Sequence, residues 1–437
     1  MNQIVFDIFG IGIGPFNLGL SALLSRHINI QSKFVDKRPD FQWHEGLLIP
    51  GTTLQVPFFA DLVSMADPTH PFSYINYLHL HDRLYQFYYY NNFLIPRTEY
   101  NHYCQWVVNQ LPSCTFSEEV KSVKYEDKQF IIECDSLSEG KKYYSSKHLS
   151  IGIGTVPYVP STLKHSSYPK VIHSSEFIHL QEKLAECQQV TIVGSGQSAA
   201  ECVLALYQKL SPERIKRGAS IRWITHAKGF HPMEYSKLGQ ECFTPDYMRY
   251  FQQLTREKRK HVSLSQGFLY KGISFTTIAD IFDLLYERSI GGHPTGLSLY
   301  SNCLVEKIDT YTEYEKIDIH YYHEELGQKG VLQTDALILA TGYYHCWPEW
   351  FEELKREILV TDSDNQYIIQ DDFTLLRSDN KEGKIFLQNA EIDQQSVASP
   401  DLGVGPYRNA IICNQLLEND FYHIPKKTAF QNYGLPK

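Results

Sequence analysis

Two glycine-rich stretches about 180 residues apart constrain this chain more than anything else in it: Gly10-Ile11-Gly12-Ile13-Gly14-Pro15-Phe16-Asn17 and Gly194-Ser195-Gly196-Gln197-Ser198-Ala199-Ala200-Glu201. Each follows an apolar run that reads as a strand, Ile4 to Phe9 and Val190 to Val193, and each opens an apolar-periodic stretch that reads as a helix. Glycine is needed there because a dinucleotide pyrophosphate must approach the backbone and rest on the N–H groups of a helix terminus. One such loop is a weak signal. Two, each between strand and helix, predict an α/β chain with two Rossmann-like dinucleotide-binding domains, in which a flavin faces a nicotinamide.

The strand ends differ. The first unit runs strand, loop, helix (about 15–26), then strand Ser32 to Val35 ending in Asp36, a carboxylate placed to accept hydrogen bonds from ribose hydroxyls. In the second, strand Ile221 to Thr225 ends in Thr225-His226-Ala227-Lys228, with no carboxylate. A ribose 2′-phosphate is repelled by Asp or Glu and accepted by Thr, His or Lys, so NADPH is expected rather than NADH. Leu149 to Thr155, followed by Val156-Pro157-Tyr158-Val159-Pro160, reads as a further strand of the first sheet with a sharp exit into a second domain. Ala336 to Leu339, entering Ala340-Thr341-Gly342-Tyr343, reads as the return.

The expected order is a flavin domain at 1–165, a nicotinamide domain at 166–229 and a helical substrate-capping insert at 230–290. The second part of the nicotinamide domain then spans 291–339, with alternating strands from Ser301 to Tyr322, and the remainder of the flavin domain 340–437, with Ile385 to Leu387 and a helix from Pro406 to Leu417.

Several classes are excluded. The net charge is −9, and the basic run Arg256-Glu257-Lys258-Arg259-Lys260 reads as a solvated helix face, so nucleic acid is not an expected partner. Nine cysteines form no Cys-x-x-Cys and no metal-ligand pattern. That argues against a disulfide reductase and for buried thiols in a reducing compartment. The chain opens on Met1-Asn2-Gln3 and a strand, without a signal-like apolar segment or a membrane span, and a cytoplasmic enzyme is expected.

The stretches Phe41-Gln42-Trp43-His44-Glu45-Gly46-Leu47-Leu48-Ile49-Pro50, Leu54-Gln55-Val56-Pro57-Phe58-Phe59-Ala60-Asp61-Leu62-Val63 and Ala66-Asp67-Pro68-Thr69-His70-Pro71-Phe72 narrow the class. With Pro96-Arg97-Thr98-Glu99-Tyr100 and Tyr407-Arg408-Asn409-Ala410, they resemble the flavin-dependent N-hydroxylating monooxygenases. Those enzymes hydroxylate the terminal amine of lysine, ornithine or a diamine on the way to hydroxamate siderophores. The resemblance implies FAD and NADPH as cofactors, a small primary amine and O2 as substrates, and a dimer or tetramer. It places Gly10, Gly12, Gly14, Pro15 and Asn17 at the flavin pyrophosphate and Asp36 or its neighbours at the adenosine. Trp43, His44 and Gln55 are placed against the isoalloxazine, with Gln55 bonding a flavin carbonyl and the nicotinamide or the activated oxygen. Gly194, Gly196, Gln197 and Ser198 anchor NADP, with Thr225 and His226 at its ribose and Thr341 and Gly342 on the return.

Three departures bear on the substrate. Amino-acid-hydroxylating members resemble Phe-Leu-Lys-Asp-Leu where this chain has Phe58-Phe59-Ala60-Asp61-Leu62, and in them that lysine pairs with the substrate's α-carboxylate. Ala60 cannot, and an unpaired carboxylate in a dry pocket is costly. A substrate without a carboxylate is therefore expected: putrescine, cadaverine or histamine, with lysine or ornithine the alternative. The family's Asn-Glu pair reads Gln240-Glu241, a remodelled far end of the pocket in which Glu241 or Asp61 attracts a second ammonium or serves as an ordinary structural carboxylate. Finally, Asp393-Gln394-Gln395-Ser396 replaces His-Thr-His-Gly, which leaves flavin contacts there open.

Overall fold

A computed structural model describes residues 4–164 and 168–436, so the expected domain boundary at 165/166 lies outside the described residues. Strand Val5–Ile11 is the centre of the first sheet, because its residues from Ile8 onward are apolar or glycine and buried. It runs parallel to Ser32–Val35 on one side and to Gly140–Ile151 on the other. The long strand Gly140–Ile151 serves two partners: residues 140–146 pair with Gln129–Ser136 in an antiparallel meander, and 149–151 pair in parallel with Ile385–Leu387. The C-terminal part of the chain thereby completes the sheet that the N-terminus begins. Helices Pro15–Leu24 and Gly405–Leu417 pack on it, with Leu18, Leu23, Ala410 and Ile412 in one core.

The second sheet is wholly parallel, in the order Leu297–Tyr300, Ser220–Ile224, Gln189–Val193, Ala336–Leu339, Val171–His173. Its central strands Gln189–Val193 and Ala336–Leu339 are buried almost throughout, which is why they read as near-continuous apolar runs, whereas the edge strand Leu297–Tyr300 is largely exposed. Helix Phe275–Ser289 connects the neighbouring strands Ser220–Ile224 and Leu297–Tyr300 and packs through Ile278 and Ile281 into this domain's core. It is a crossover of the second sheet, so the helical insert ends before it rather than at 290. What remains of the insert, helices Lys237–Gln240, Pro245–Gln252 and Arg256–Ser265, leans on the C-terminal segment: Tyr247, Phe251, Leu269 and Val397 form one buried cluster.

The basic run in this insert is solvated at Glu257, Lys258 and Lys260, as expected, but its two arginines turn inward. Arg256 Nη1 donates to the Asp393 carbonyl and Nη2 pairs with its carboxylate at 2.9 Å, while Arg259 Nη1 donates to the Gln394 carbonyl at 3.1 Å. Two chain crossings join the sheets. They form a ladder of only two residue pairs, Tyr343 with Pro157 and Tyr344 with Val156, extended by Tyr158 N–H donating to the Gly342 carbonyl at 2.8 Å. A third link is the segment after His44: Leu47 and Ile49 leave the first domain and are buried in the core of the second.

Candidate active site

The first loop opens on a cleft of about 1180 Å³ whose walls include Gly12, Gly14, Asp36, Arg38, Trp43 and His44. The glycines do different work. Gly10 lies inside the strand, and a Cβ there would come 1.9 Å from the Phe34 ring, so it makes room for packing and does not touch a cofactor. Gly12 has φ +87°, and a Cβ would meet the Gly152 carbonyl oxygen at 2.4 Å, so loop and neighbouring strand close on each other only without a side chain. Gly14 faces open space. Asn17 is buried beneath the loop: its Nδ2 donates to the Gly12 carbonyl at 2.8 Å and its Oδ1 accepts from Ser150 Oγ at 2.6 Å. It shapes the loop rather than reaching past it.

The brace continues through Gln388, which the sequence did not single out, and through Arg408 and Asn409 of the 407–410 motif. Gln388 Nε2 donates to Ser150 Oγ at 3.3 Å and to Asn409 Oδ1 at 2.9 Å, and Asn409 Nδ2 donates to the Phe16 carbonyl at 2.9 Å. Arg408 is wholly buried; its guanidinium lies 4.9 Å from the Phe16 ring centroid, and burial lowers its pKa to about 9. Asp36 ends its strand as expected. Oδ2 accepts from the Ile13 N–H at 2.8 Å, and both oxygens accept from the Arg38 guanidinium at 2.9 and 3.0 Å. Burial opposes its charge, but Arg38 and these N–H groups hold the carboxyl below its ordinary value.

In the second loop, Gly194 (φ +143°) lies against the Ala340 carbonyl, where a Cβ would approach to 2.4 Å, and Gly196 faces open space. Gln197 departs from expectation. Its Nε2 donates to Glu201 and to Thr277 at 2.8 and 3.1 Å, and its Oε1 accepts from the Ser274 N–H at 2.6 Å, so the amide is committed to protein partners. Ser198 is half-buried in the first helical turn. Thr225 is also not a ribose contact through its side chain: it is buried, and its Oγ1 accepts from the Ala227 N–H at 3.0 Å to close the turn. His226 and Lys228 beside it are exposed. Thr341 donates its hydroxyl to the Tyr158 carbonyl, and Gly342, at φ +88°, accepts from Tyr158, so both serve the crossing between domains.

Both loops pass what a dinucleotide requires. Helices Pro15–Leu24 and Gln197–Lys209 start at Gly14 and Gly196 with no side-chain cap and no acidic residue in the first turn. By contrast Ser73, Ser211, Thr244, Thr255 and Ser274 cap other helices with their hydroxyls. Two uncapped N-termini, each with an open glycine at the cap, leave N–H groups for a pyrophosphate.

Between the loops, Trp43 and His44 line the cleft with their rings 4.8 Å apart edge to face, and Tyr343 lies between His44 (6.0 Å) and His173 (5.3 Å). The protein enclosing His44, with the nearby cations Arg97 and Arg38, pulls the imidazole down to about 4, so it is neutral near pH 7 even though one side opens to the cleft. Gln55 is held from across the boundary. Tyr235, in the insert, donates its hydroxyl to Gln55 Oε1 at 2.6 Å, while Gln55 Nε2 donates to the Thr53 carbonyl at 3.3 Å.

The residues expected at the far end of the pocket separate. Gln240 is exposed, and the carboxylate of Glu241 accepts the N–H groups of Phe430 and Gln431 at 2.8 and 2.9 Å, tying down the C-terminal tail. Asp61 is saturated by Val63, Ser64 and Tyr74, a structural anchor. Ala60 is buried against the loop after Pro400: a Cβ on Gly403 would lie 3.8 Å from Ala60 Cβ and 2.9 Å from Asp401 Oδ1. Asp401 is the acid that sequence reasoning passed over. Burial pushes its carboxyl up to about 6, against the Gly403 and Val404 N–H groups and the charge of Arg408. In the 393–396 segment, Gln394, Gln395 and Ser396 are buried, and Ser396 takes φ +74°, ψ 174°, a conformation that suits glycine, the residue of the resembling motif.

Two nucleotide loops, one on a mixed and one on a parallel sheet, with an aromatic and amide-lined cleft between, define a flavoprotein oxidoreductase that also takes a nicotinamide. The chain belongs to the L-lysine 6-monooxygenase/L-ornithine 5-monooxygenase family, whose model matches residues 4–345; it is an FAD-dependent, NADPH-requiring amine monooxygenase. It is 52% identical over 433 residues to a rhizobactin siderophore biosynthesis protein of Rhizobium meliloti, covering 99% of this chain and 95% of that protein. It is 38% identical to the putrescine N-hydroxylase of Shewanella oneidensis, over 99% of this chain and 85% of that one. The FAD-bound cadaverine monooxygenase of the desferrioxamine pathway of Erwinia amylovora superposes with TM-score 0.91 at 32% identity, covering 100% of both chains. No described helix is long and apolar enough to cross a membrane.

Proposed function

We propose that the chain N-hydroxylates one end of a small diamine such as putrescine or cadaverine for siderophore biosynthesis, in the net reaction R-NH2 + O2 + NADPH + H⁺ giving R-NHOH + NADP⁺ + H2O. The observation that carries this is Ala60: where amino-acid hydroxylases place a cation for a carboxylate, this chain has a buried methyl group, and Gly403 lies against both that methyl and the Asp401 carboxylate, so an acid rather than a base neighbours the position. An anion there repels the α-carboxylate of lysine or ornithine and attracts a distal ammonium. The names of the putrescine N-hydroxylase and of the cadaverine monooxygenase support the same substrate class.

When bound, FAD and NADPH supply hydride and activated oxygen; the chain's residues do the rest. Gly12, Gly14 and the helix opening at Pro15 take the flavin pyrophosphate, with Asp36 and Arg38 at the adenosine end. Gly194, Gly196 and the N–H groups at the start of helix Gln197–Lys209 take that of NADPH, with His226 and Lys228 at the 2′-phosphate. Tyr235 fixes the sense of the Gln55 amide, so that the remaining Nε2 hydrogen is free for the nicotinamide or the reacting oxygen. The reacting amine must be neutral, and desolvation against the walls built by Pro57 and Phe58 lowers its pKa, while Asp401 keeps the far amine charged. In this reading 4–164 and 340–436 form the FAD domain and 168–339, less the insert, the NADPH domain. The enzyme works as a dimer or tetramer in the cytoplasm, a placement supported by nine unpaired cysteines.

The test is NADPH oxidation measured together with hydroxylamine product on FAD-loaded protein across putrescine, cadaverine, histamine, lysine and ornithine. Product from an amine lacking a carboxylate is expected; product from lysine or ornithine alone sinks the substrate assignment.

A further inference from the structure

Arg97 opens helix Arg97–Val108 of the first domain, and Glu201 sits one turn into helix Gln197–Lys209 of the second. Across the boundary they form a bidentate ion pair, Nη1 to Oε2 and Nη2 to Oε1, both 2.7 Å. The residues are 8% and 3% exposed. Little of their hydrogen-bonding capacity is wasted. Arg97 Nε donates to the Thr53 carbonyl at 3.2 Å, and Glu201 Oε1 also accepts from Gln197 Nε2 at 2.8 Å. The same Thr53 carbonyl accepts from Gln55 Nε2, and the Arg97 backbone N–H donates to the Thr52 carbonyl at 3.0 Å. A continuous line of polar contacts therefore runs from Gln55, through Thr53, Arg97 and Glu201, to Gln197 in the first turn of the second loop's helix.

Stability alone is a weak reason for such a pair, since buried ion pairs exchange for apolar residues of similar volume with little loss. Geometry is a better one. The covalent connections between the domains are two crossings held by a two-pair ladder, which leaves their relative orientation to side-chain contacts. We propose that Arg97 and Glu201 are positioning residues that set the second nucleotide loop in register with the 52–55 segment, so that hydride donor and acceptor meet at reacting distance. This rests on the assignment of FAD to the first loop and NADPH to the second. Reaction requires the reacting atoms to be about 3–3.5 Å apart, and a displacement of about 1 Å lowers the rate on the order of 100-fold.

The experiment compares wild type, Glu201→Gln, the double variant Arg97→Met/Glu201→Leu and the charge exchange Arg97→Glu/Glu201→Arg as FAD-loaded holoenzymes. Flavin reduction by saturating NADPH is followed anaerobically without amine, NADP⁺ affinity by calorimetry, and amide hydrogen exchange at Tyr158 by mass spectrometry. The expected result is reduction slowed about 100-fold in the double variant with NADP⁺ affinity nearly unchanged, because the pyrophosphate site is intact and only its orientation is lost. Exchange at Tyr158 speeds up, and the charge exchange recovers part of the reduction rate. A purely structural pair would lower Tm and leave both readouts of the folded protein unmoved. Wild-type reduction and exchange in the double variant, or in Glu201→Gln should the double variant fail to fold, overturn the proposal. Failure of NADPH to reduce the wild-type flavin overturns the nucleotide assignment itself, and absence of hydroxylamine with normal reduction touches only the amine assignment.

Discussion

If the distal ammonium is held as proposed, Asp401 ties its binding to pH. Burial pushes the Asp401 carboxyl up to about 6, and only the ionised form attracts an ammonium. Below that pH the group is protonated and the attraction is lost. The kcat/KM for putrescine should therefore rise with pH through about 6, while anaerobic flavin reduction by NADPH shows no such limb. Asp401→Asn should abolish the limb and raise the diamine KM roughly 30- to 150-fold, the equivalent of a charge-assisted bond of about 2–3 kcal/mol. Ala60→Lys should act in the same direction by neutralising the same carboxylate, and steady-state kinetics on putrescine and on lysine check both. Ser396 offers a test of strain: φ +74° with ψ 174° is paid for by the surrounding packing, and Ser396→Gly should raise stability by about 1 kcal/mol in thermal unfolding.

At the scale of elements, the uncapped helix at Gly196 yields a prediction in which folding and binding part company. Gly196 has φ −96°, ψ −178°, extended backbone that any residue adopts, and open space where a side chain would go. Aspartate is a preferred N-cap, so Gly196→Asp should stabilise the protein without nucleotide by up to about 1 kcal/mol, yet repel the pyrophosphate and weaken NADP⁺ binding at least tenfold. Calorimetry and thermal unfolding read the two effects separately. The elements themselves were legible: strands Ser32–Val35 and Ala336–Leu339 have the bounds their sequence implies, the second because a strand buried throughout is a plain apolar run, the first because its buried Phe34 and Val35 end at the charged Asp36. The helix Phe275–Ser289 was recognisable as a helix but not as a crossover, since its amphipathic pattern does not say which sheet it covers. Spacing could not separate Gly10, which accommodates Phe34, from Gly14, which faces the cleft. Glu241 stayed open between two roles for a different reason: its partners, Phe430 and Gln431, lie about 190 residues away and their contribution is backbone N–H, which leaves no trace in side-chain identity.

For the whole molecule, the nine free cysteines act as a footprinting set. Cys346 is exposed and lines the large cleft, whereas Cys104, Cys134, Cys202, Cys303 and Cys413 are buried and burial raises their thiols. A thiol-specific reagent under native conditions should label Cys346 first, and FAD should slow that reaction without affecting the slower ones. The segment after His44 has a wider consequence. Leu47 and Ile49 follow directly on Trp43 and His44 in sequence but are packed in the other domain's core, so the wall of the first cleft owes its shape to the neighbour. The two halves are consequently poor building blocks for recombination. A chimera that joins this N-terminal half to the nicotinamide half of a distant reductase inherits two foreign apolar side chains with no socket to receive them, and a graft succeeds only when that socket travels with the segment.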